Sequence, residues 1–121
     1  MRNLVLVTSV IDPPNKNLSY FKTRSVFTKD ERFEQTKKTI QTVKEKISDC
    51  HIMITECSKL TNEEEKYFID NSTYFLNLFE NTKLKEKIYS RSKSLGEGTM
   101  TIESLIFLLK KKIIYENFIK I

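Results

Sequence analysis

Apolar residues near the start of the chain form one uninterrupted run, from Leu4 to Val7, and two hydroxyl residues, Thr8 and Ser9, follow it. A run that is apolar on both faces is typical of a strand buried inside a parallel sheet. We therefore predict a first strand over residues 3–9. Open parallel sheets bind ligands beyond the carboxyl ends of their strands, which makes Thr8 and Ser9 candidate binding residues.

After the first strand, helical and strand-like patterns alternate along the chain. Thr28 and Glu31 form a capping-box pattern, and apolar positions then recur at 3-4-3-4 spacing as far as Ile47, which predicts an amphipathic first helix. A second capping box at Thr61 predicts a short acidic helix, and a third at Ser94 predicts a strongly apolar one. Further strands are predicted over residues 51–55, 73–77 and 118–121, and residues 80–89 are predicted to form either a short exposed helix or a mobile segment.

This alternation predicts the fold class. Strands that alternate with helices are connected by right-handed crossovers into a parallel sheet. We expect residues 1–121 to form a single three-layer α/β domain, with a mostly parallel sheet of about four strands and helices on both faces. The length of 121 residues is typical of one domain.

A long polar loop is predicted between Val10 and Phe27, because Asp12-Pro13-Pro14-Asn15 excludes a helix there. Loops of this length in compact domains are often functional. The loop carries Arg24 and Ser25, which suit ligand binding. The alternative is a surface excursion whose aromatic residues cover the core.

The net charge of +5 is weak support for nucleic-acid binding. The basic residues are almost all lysine, with four arginines, and the chain contains no alanine, which is typical of an AT-rich coding sequence. Lysine enrichment then follows from base composition, and the run Lys110-Lys111-Lys112 complements the dipole at a helix end. We therefore do not expect nucleic acid as a partner, and nucleic-acid binding by the lysine surface, with a steep salt dependence, stays a third and weaker alternative.

Cysteine use and hydropathy indicate a reducing compartment. Cys50 and Cys57 flank a predicted strand and are seven positions apart, an odd separation that directs their side chains to opposite faces and argues against a disulfide. The N-terminus has no signal-peptide pattern, and no apolar run approaches the roughly 20 residues of a membrane span. A cytoplasmic location without a membrane span is the expectation.

Common catalytic and cofactor motifs are absent from the sequence. There is no glycine-rich dinucleotide fingerprint and no P-loop. His51, the single histidine, is predicted at the start of a strand, away from the ligand edge, and no acidic or histidine cluster indicates a metal site. The candidate residues that remain converge on the predicted carboxyl edge: Thr8, Ser9, Arg24, Arg32, Glu56, Ser58, Gly96 and Glu97.

Several of these candidates match the chemistry of a nucleotide. Arg24 and Arg32 suit bidentate contacts to phosphate, and Glu56 suits a sugar hydroxyl. Gly96 at a helix start would let backbone N–H groups approach an anion. The alternatives are an exposed first-turn arginine at position 32, paired with a carboxylate, and a plain turn glycine at position 96.

Three segments together resemble the start of GT-A-type glycosyltransferases. They are Val5-x-Val7-Thr8-Ser9, Arg32-Phe33-Glu34-Gln35-Thr36-x-x-Thr39-Ile40-x-Thr42-Val43 and Ile52-x-Ile54-x-Glu56-x-Ser58. A second set is similar to uncharacterised glycosyltransferase-like proteins of large DNA viruses and AT-rich microbes. It comprises Arg24-Ser25-x-Phe27, Glu31-Arg32-Phe33-x-Gln35-Thr36 and Ser94-Leu95-Gly96-Glu97.

The resemblance implies the nucleotide-sugar-binding half of a GT-A-like, Rossmann-like fold. The family's Asp-x-Asp metal motif and acceptor half, with its catalytic base, have no counterpart in residues 1–121. We therefore expect binding without complete catalysis, no identified catalytic residue, and no cofactor within this chain. Mn²⁺ or Mg²⁺ would require ligands from another segment. If the protein is an enzyme, the resemblance implies a glycosyltransferase.

An alternative function belongs to another class. The domain would then be a small, non-enzymatic protein-interaction module that self-associates through its exposed C-terminal strand, because an unpaired apolar edge strand invites pairing. This alternative predicts a homo-oligomer instead of a nucleotide-sugar complex.

Overall fold

The computed structural model describes residues 3–13, 27–90 and 92–121. The predicted loop residues Arg24 and Ser25 lie outside this part of the chain. The described elements, in chain order, are β1 (Asn3–Ser9), α1 (Lys29–Lys46), β2 (Cys50–Glu56), α2 (Asn62–Asp70), β3 (Tyr74–Asn77), α3 (Thr82–Ile88), α4 (Lys93–Lys110) and β4 (Asn117–Lys120).

The four described strands form one sheet in the order β3-β2-β1-β4, and every pair is parallel. This order is that of the first four strands of the classic dinucleotide-binding sheet. The chain moves outward from β1 to β3 and then returns past β1 to add β4 on the other side. The predicted α/β class, with a Rossmann-like three-layer arrangement, is confirmed.

The two faces of the sheet have separate cores, because successive side chains of a strand point to opposite faces. Val5 and Val7 of β1 pack with Ile40 of α1 and Phe68 of α2. Leu4 and Leu6 pack on the other face, with Leu108 of α4. The run from Leu4 to Val7 is therefore buried on both sides, as its uninterrupted apolar pattern predicts.

Two of the three predicted capping boxes form. Thr28 with Glu31 opens α1, and Thr61 with Glu64 opens α2, with both reciprocal hydrogen bonds present in each. The box predicted at Ser94 is wrong: α4 begins two residues earlier, because the Ser92 hydroxyl accepts the Leu95 N–H and caps the helix there.

Two strand starts differ from the prediction by one residue, and the open alternative for residues 80–89 is decided in favour of a helix. Residues 82–88 form α3, and the Asn81 side chain caps it by accepting the Leu84 N–H. β3 begins at Tyr74 and β4 begins at Asn117, each one residue from the predicted start. β4 lies at the edge of the sheet, and all four of its residues are exposed.

Candidate functional site

A cavity of about 220 Å³ opens at the carboxyl end of β1. It lies where the crossovers change faces, since α1 packs on one side of β1 and α4 on the other. This gap is the usual ligand position in open α/β sheets. We call it the crevice, and its lining residues are Thr8, Ser9, Val10, Pro13, Arg32, Thr36, Ile88, Tyr89, Lys93, Gly96 and Glu97.

The structure brings five of the eight sequence-derived candidates to the crevice. They are Thr8, Ser9, Arg32, Gly96 and Glu97. Glu56 and Ser58 are buried and do not line it. Arg24 lies outside the described residues.

The floor of the crevice is the end of β1. The Ser9 hydroxyl lies 3.2 Å from the Thr36 hydroxyl, which joins the strand end to the second turn of α1. Thr36 follows Arg32 by four positions, so both side chains lie on one face of the helix. This spacing could have identified Thr36 from the sequence, once Arg32 had been chosen.

Arg32 forms the α1 wall. Its Nε donates a 2.8 Å hydrogen bond to the Val10 carbonyl oxygen, which fixes the guanidinium beside the segment that follows β1. Arg32 therefore holds the crevice floor in place and brings a permanent positive charge to its wall.

The first turn of α4 forms the opposite wall and adds positive charge. The N–H groups of Lys93 and Ser94 have no acceptor within the helix, because the first N–H groups of any α-helix lack one. These groups form the positive end of the helix dipole. Lys93, a basic residue, and Glu97, an acidic residue one turn further on, both line this wall.

Gly96 lies inside this first turn and has a packing role. Its N–H donates to the Ser92 carbonyl oxygen at 3.2 Å, so that group serves the helix and does not face an anion. A Cβ at position 96 would lie 2.8 Å from the Ile88 carbonyl oxygen, whereas one at Gly98 would meet no atom of the described residues within 4 Å. The absent side chain at Gly96 lets α4 approach the end of α3.

Glu56 and Ser58 support the crevice from inside the protein. Glu56 Oε2 accepts the N–H groups of Ile11 and Cys57 at 3.1 Å and the Ser58 hydroxyl at 2.6 Å. The Ser58 hydroxyl in turn accepts the Asp12 N–H at 3.1 Å. The end of β2 therefore holds the segment that follows β1.

Burial dominates the electrostatics of Glu56 and raises its pKa from 4.5 to about 7. Hydrogen bonds from Ser58, Ile11 and Cys57 favour the charged carboxylate and oppose this rise. Among the described residues Oε1 has no hydrogen-bond partner of acceptable geometry, although the Ser9 hydroxyl lies near enough to lower the pKa. A buried carboxyl group therefore titrates close to neutral pH directly behind the crevice floor.

Tyr89 and Lys93 line the crevice but were not among the candidates chosen from the sequence. The Tyr89 hydroxyl donates to the Cys57 carbonyl oxygen at 2.7 Å, which fixes the side chain at the end of α3. No local pattern marks this tyrosine. Lys93 would have been found from the true helix cap at Ser92, which the stronger Ser94–Glu97 pattern concealed.

Other chemistry is sparse in the described part of the chain. No group of three or more His, Cys, Asp or Glu residues among residues 3–13, 27–90 and 92–121 is placed to hold a metal ion. His51 lies at the amino end of β2, where its Nδ1 is 2.5 Å from the Tyr115 hydroxyl. None of the described helices is both long enough and apolar enough to cross a bilayer.

Comparison with protein-family models, with curated proteins and with solved structures finds no significant match to this chain. The geometry of the crevice is therefore the basis for a functional assignment.

Proposed function

We propose that this domain binds a nucleotide-sugar in the crevice, as the nucleotide-binding half of a GT-A-like glycosyltransferase. The observation that carries the proposal is the convergence of Arg32, Lys93 and the α4 N-terminus around the strand end where the sheet topology reverses. Two cationic side chains and a helix N-terminus together suit a diphosphate.

The other lining residues suit the remainder of such a ligand. Thr8, Ser9 and Thr36 offer hydroxyl groups, and Glu97 offers a carboxylate that favours sugar hydroxyls over phosphate. The Tyr89 side chain offers an aromatic surface. A volume of about 220 Å³ is below the 300–1,000 Å³ typical of complete ligand pockets, so the crevice would enclose one part of the ligand and leave the rest at its rim.

Lys93 provides the sharpest test. Isothermal titration calorimetry with UDP-glucose and GDP-mannose should detect binding, and Lys93→Ala should weaken it by about tenfold or more, because a charge-assisted contact contributes about 1.5–3 kcal/mol. Arg32→Ala should also weaken binding, although it additionally removes the bond to the Val10 carbonyl.

Lys110→Ala is the matched control. It removes the same charge from the opposite end of α4, and its effect on affinity should be small. The proposal would be refuted if neither UDP-glucose nor GDP-mannose bound at millimolar concentration. Equal losses of affinity from Lys93→Ala and Lys110→Ala would also refute it.

A second candidate function is the interaction module that self-associates through its edge strand. The specific observation in its favour is that β4 lies at the edge of the described sheet and that all four of its residues are exposed to solvent. Self-association without any nucleotide-sugar binding would support this candidate over the first.

A further inference from the structure

The Glu56 carboxyl group and the Ser9 hydroxyl lie next to each other at the ends of β2 and β1. The two residues are partners in the parallel ladder, and such partners direct their side chains to the same face of the sheet. On that face the Ser9 hydroxyl lies 3.2 Å from the Thr36 hydroxyl of α1. Ser9 and Thr36 line the crevice, whereas Glu56 is fully buried behind them. A row of three side-chain oxygen groups therefore leads from the interior to the crevice floor.

The two carboxyl oxygens of Glu56 have different surroundings. Oε2 accepts three hydrogen bonds, from the Ile11 and Cys57 N–H groups and from the Ser58 hydroxyl. Oε1 is buried and has no hydrogen-bond partner of acceptable geometry among the described residues. Of the four donors that lower the pKa of this carboxyl group, Ser9 is the one without a bond to Oε2. A proton on Glu56 therefore belongs on Oε1, because Oε2 already faces three donors.

We propose that a nucleotide-sugar binds in the crevice together with one proton, which Glu56 takes up from solvent and directs to Ser9. The identity of the ligand in this inference rests on the proposed function. Glu56 is a positioning residue in this arrangement, because it lies behind Ser9 and acts on the ligand through the hydroxyl groups of the floor.

The state of Glu56 sets the direction of the hydroxyl groups, because each hydroxyl has one hydrogen to donate. When Glu56 is ionised, the Ser9 hydrogen points to Oε1, and the Ser9 oxygen presents its lone pairs to Thr36 and the crevice. When Oε1 carries a proton, it donates to the Ser9 oxygen, and the Ser9 hydrogen is released toward Thr36 and the crevice. Protonation thus gives the floor one further donor for a phosphate oxygen and removes a negative charge behind it.

The surroundings of Glu56 favour this exchange near neutral pH. Burial raises the pKa of Glu56 to about 7, so both protonation states are populated there. Cys57 and Tyr89 are the titratable side chains that interact with Glu56 through charge, and burial raises the pKa of both. Both therefore stay neutral in this range, and Glu56 is the group that exchanges the proton.

The other elements around Glu56 contribute both apolar and charged side chains. β3 contributes Asn77, the uncharged ladder partner of Glu56, and α2 packs on this face through Phe68. The charged side chains are Arg32 on α1, Asp12 in the segment after β1, Lys85 on α3, and Lys93 and Glu97 on α4. Substitutions of Glu56 and Ser9 leave all of these groups in place, so such variants isolate the titration of Glu56.

The pH dependence of affinity tests the proposal on the unmodified protein. The diphosphate of UDP-glucose keeps a constant charge between pH 6 and pH 8, so a change in affinity reports on the protein. Calorimetry should show affinity about five- to tenfold higher at pH 6 than at pH 8, because the protonated fraction of Glu56 changes by about that factor. Titrations at pH 7 in buffers of different ionisation enthalpy should show uptake of about half a proton.

Glu56→Gln imitates the protonated state. Its amide oxygen accepts the three donors at the Oε2 position, which leaves the NH₂ group at the Oε1 position to donate to Ser9. This variant should bind UDP-glucose equally well at pH 6 and pH 8, without proton uptake. Circular dichroism checks that it folds.

Two substitutions of Ser9 test the connection to the crevice. Ser9→Ala removes the hydroxyl and should reduce the pH dependence to about twofold or less, whereas Ser9→Thr keeps the hydroxyl and should retain it. Without ligand, Ser9→Ala should raise the pKa of Glu56, since the Ser9 hydroxyl lowers it. Carbon-13 NMR of the carboxyl group, assigned with Glu56→Gln, measures this change.

The outcomes separate this proposal from the proposed function. Binding of UDP-glucose with equal affinity at pH 6 and pH 8, or a pH dependence that survives in Glu56→Gln, would overturn the proton uptake and leave the proposed function in place. A full pH dependence in Ser9→Ala, or an unchanged pKa of Glu56 in that variant, would overturn the role of Ser9. Failure of UDP-glucose to bind at any of these pH values would refute both proposals.

Discussion

The carboxyl ends of β1 and β2 have similar sequences and opposite roles in the structure. Each strand is apolar and is followed by polar groups, Thr8 and Ser9 in one case and Glu56 and Ser58 in the other. Thr8 and Ser9 open into the crevice, whereas Glu56 and Ser58 are fully buried.

The difference comes from what lies beyond each strand. β1 is at the reversal of the sheet order, where helices on opposite faces leave a gap. The chain beyond β2 is covered, because the Asn77 side chain bonds to the Ser58 carbonyl at 2.9 Å and Tyr89 bonds to the Cys57 carbonyl at 2.7 Å. A polar strand end therefore lines an open crevice at the switch point and forms a structural support next to it.

The largest loss of stability should come from removing the Glu56 carboxyl group, which supports the crevice from inside. Glu56→Ala leaves the Ile11 and Cys57 N–H groups and the Ser58 hydroxyl without their acceptor. Together with the cavity created, this should lower the free energy of unfolding by about 3 kcal/mol or more, measured by urea denaturation. The exposed Glu45→Ala is the control, with an expected change within about 0.5 kcal/mol. A loss of less than 1 kcal/mol for Glu56→Ala would contradict the supporting role.

The free energy of unfolding should also depend on pH through Glu56. The folded protein holds the Glu56 proton more tightly than the unfolded chain, because burial raises the pKa from 4.5 to about 7. The resulting stability is fully present below pH 4.5 and is lost as pH rises through 7, a change on the order of 3 kcal/mol.

Glu56→Gln isolates this pH effect. Glutamine keeps the shape and stays neutral, so the variant should lack the decline between pH 5 and 8 and should be the more stable protein at pH 8. Urea denaturation of both proteins at pH 5, 6, 7 and 8 provides the measurement. Parallel pH profiles would show that Glu56 does not titrate in this range.

The smallest effects on stability and affinity should come from two serine variants, one at the end of each strand. Ser58→Ala removes the donor to Glu56 and the acceptor of the Asp12 N–H, and should cost about 1–3 kcal/mol of stability. Ser9→Ala should change stability by less than about 1 kcal/mol and weaken nucleotide-sugar binding severalfold. Urea denaturation and calorimetry on both variants measure these losses of stability and affinity. A larger loss of stability from Ser9→Ala, or a larger loss of affinity from Ser58→Ala, would contradict the roles assigned to the two strand ends.

Local sequence determines much of the fold. The β1 run, the two Thr–Glu capping boxes and the order of elements depend on near neighbours and on periodicity, and all were predictable. The start of α4 was missed because its serine cap, Ser92, lacks the glutamate that completes a capping box.

The crevice was only partly predictable. Thr8, Ser9 and Arg32 follow from a strand end and the helix after it, since parallel-sheet topology dictates where such positions lie. The inward direction of Glu56 depends on residues far along the chain that cover it, including Tyr89 and Asn77. Tyr89 itself lines the crevice because Gly96 allows α3 and α4 to pack closely. This packing involves a residue of the following helix, so no local sequence pattern indicates it.

The pairing of β4 with β1 has a consequence for the order of folding. Asn117 Nδ2 donates to Asn3 Oδ1 at 2.9 Å, across a separation of 114 residues. Such distant pairing carries a large loop-closure entropy and forms slowly. During synthesis β1 can pair with β2 well before residue 117 leaves the ribosome, so the other side of this central strand stays unpaired until β4 has been made. The nascent chain must therefore keep an apolar strand edge from aggregating until β4 emerges.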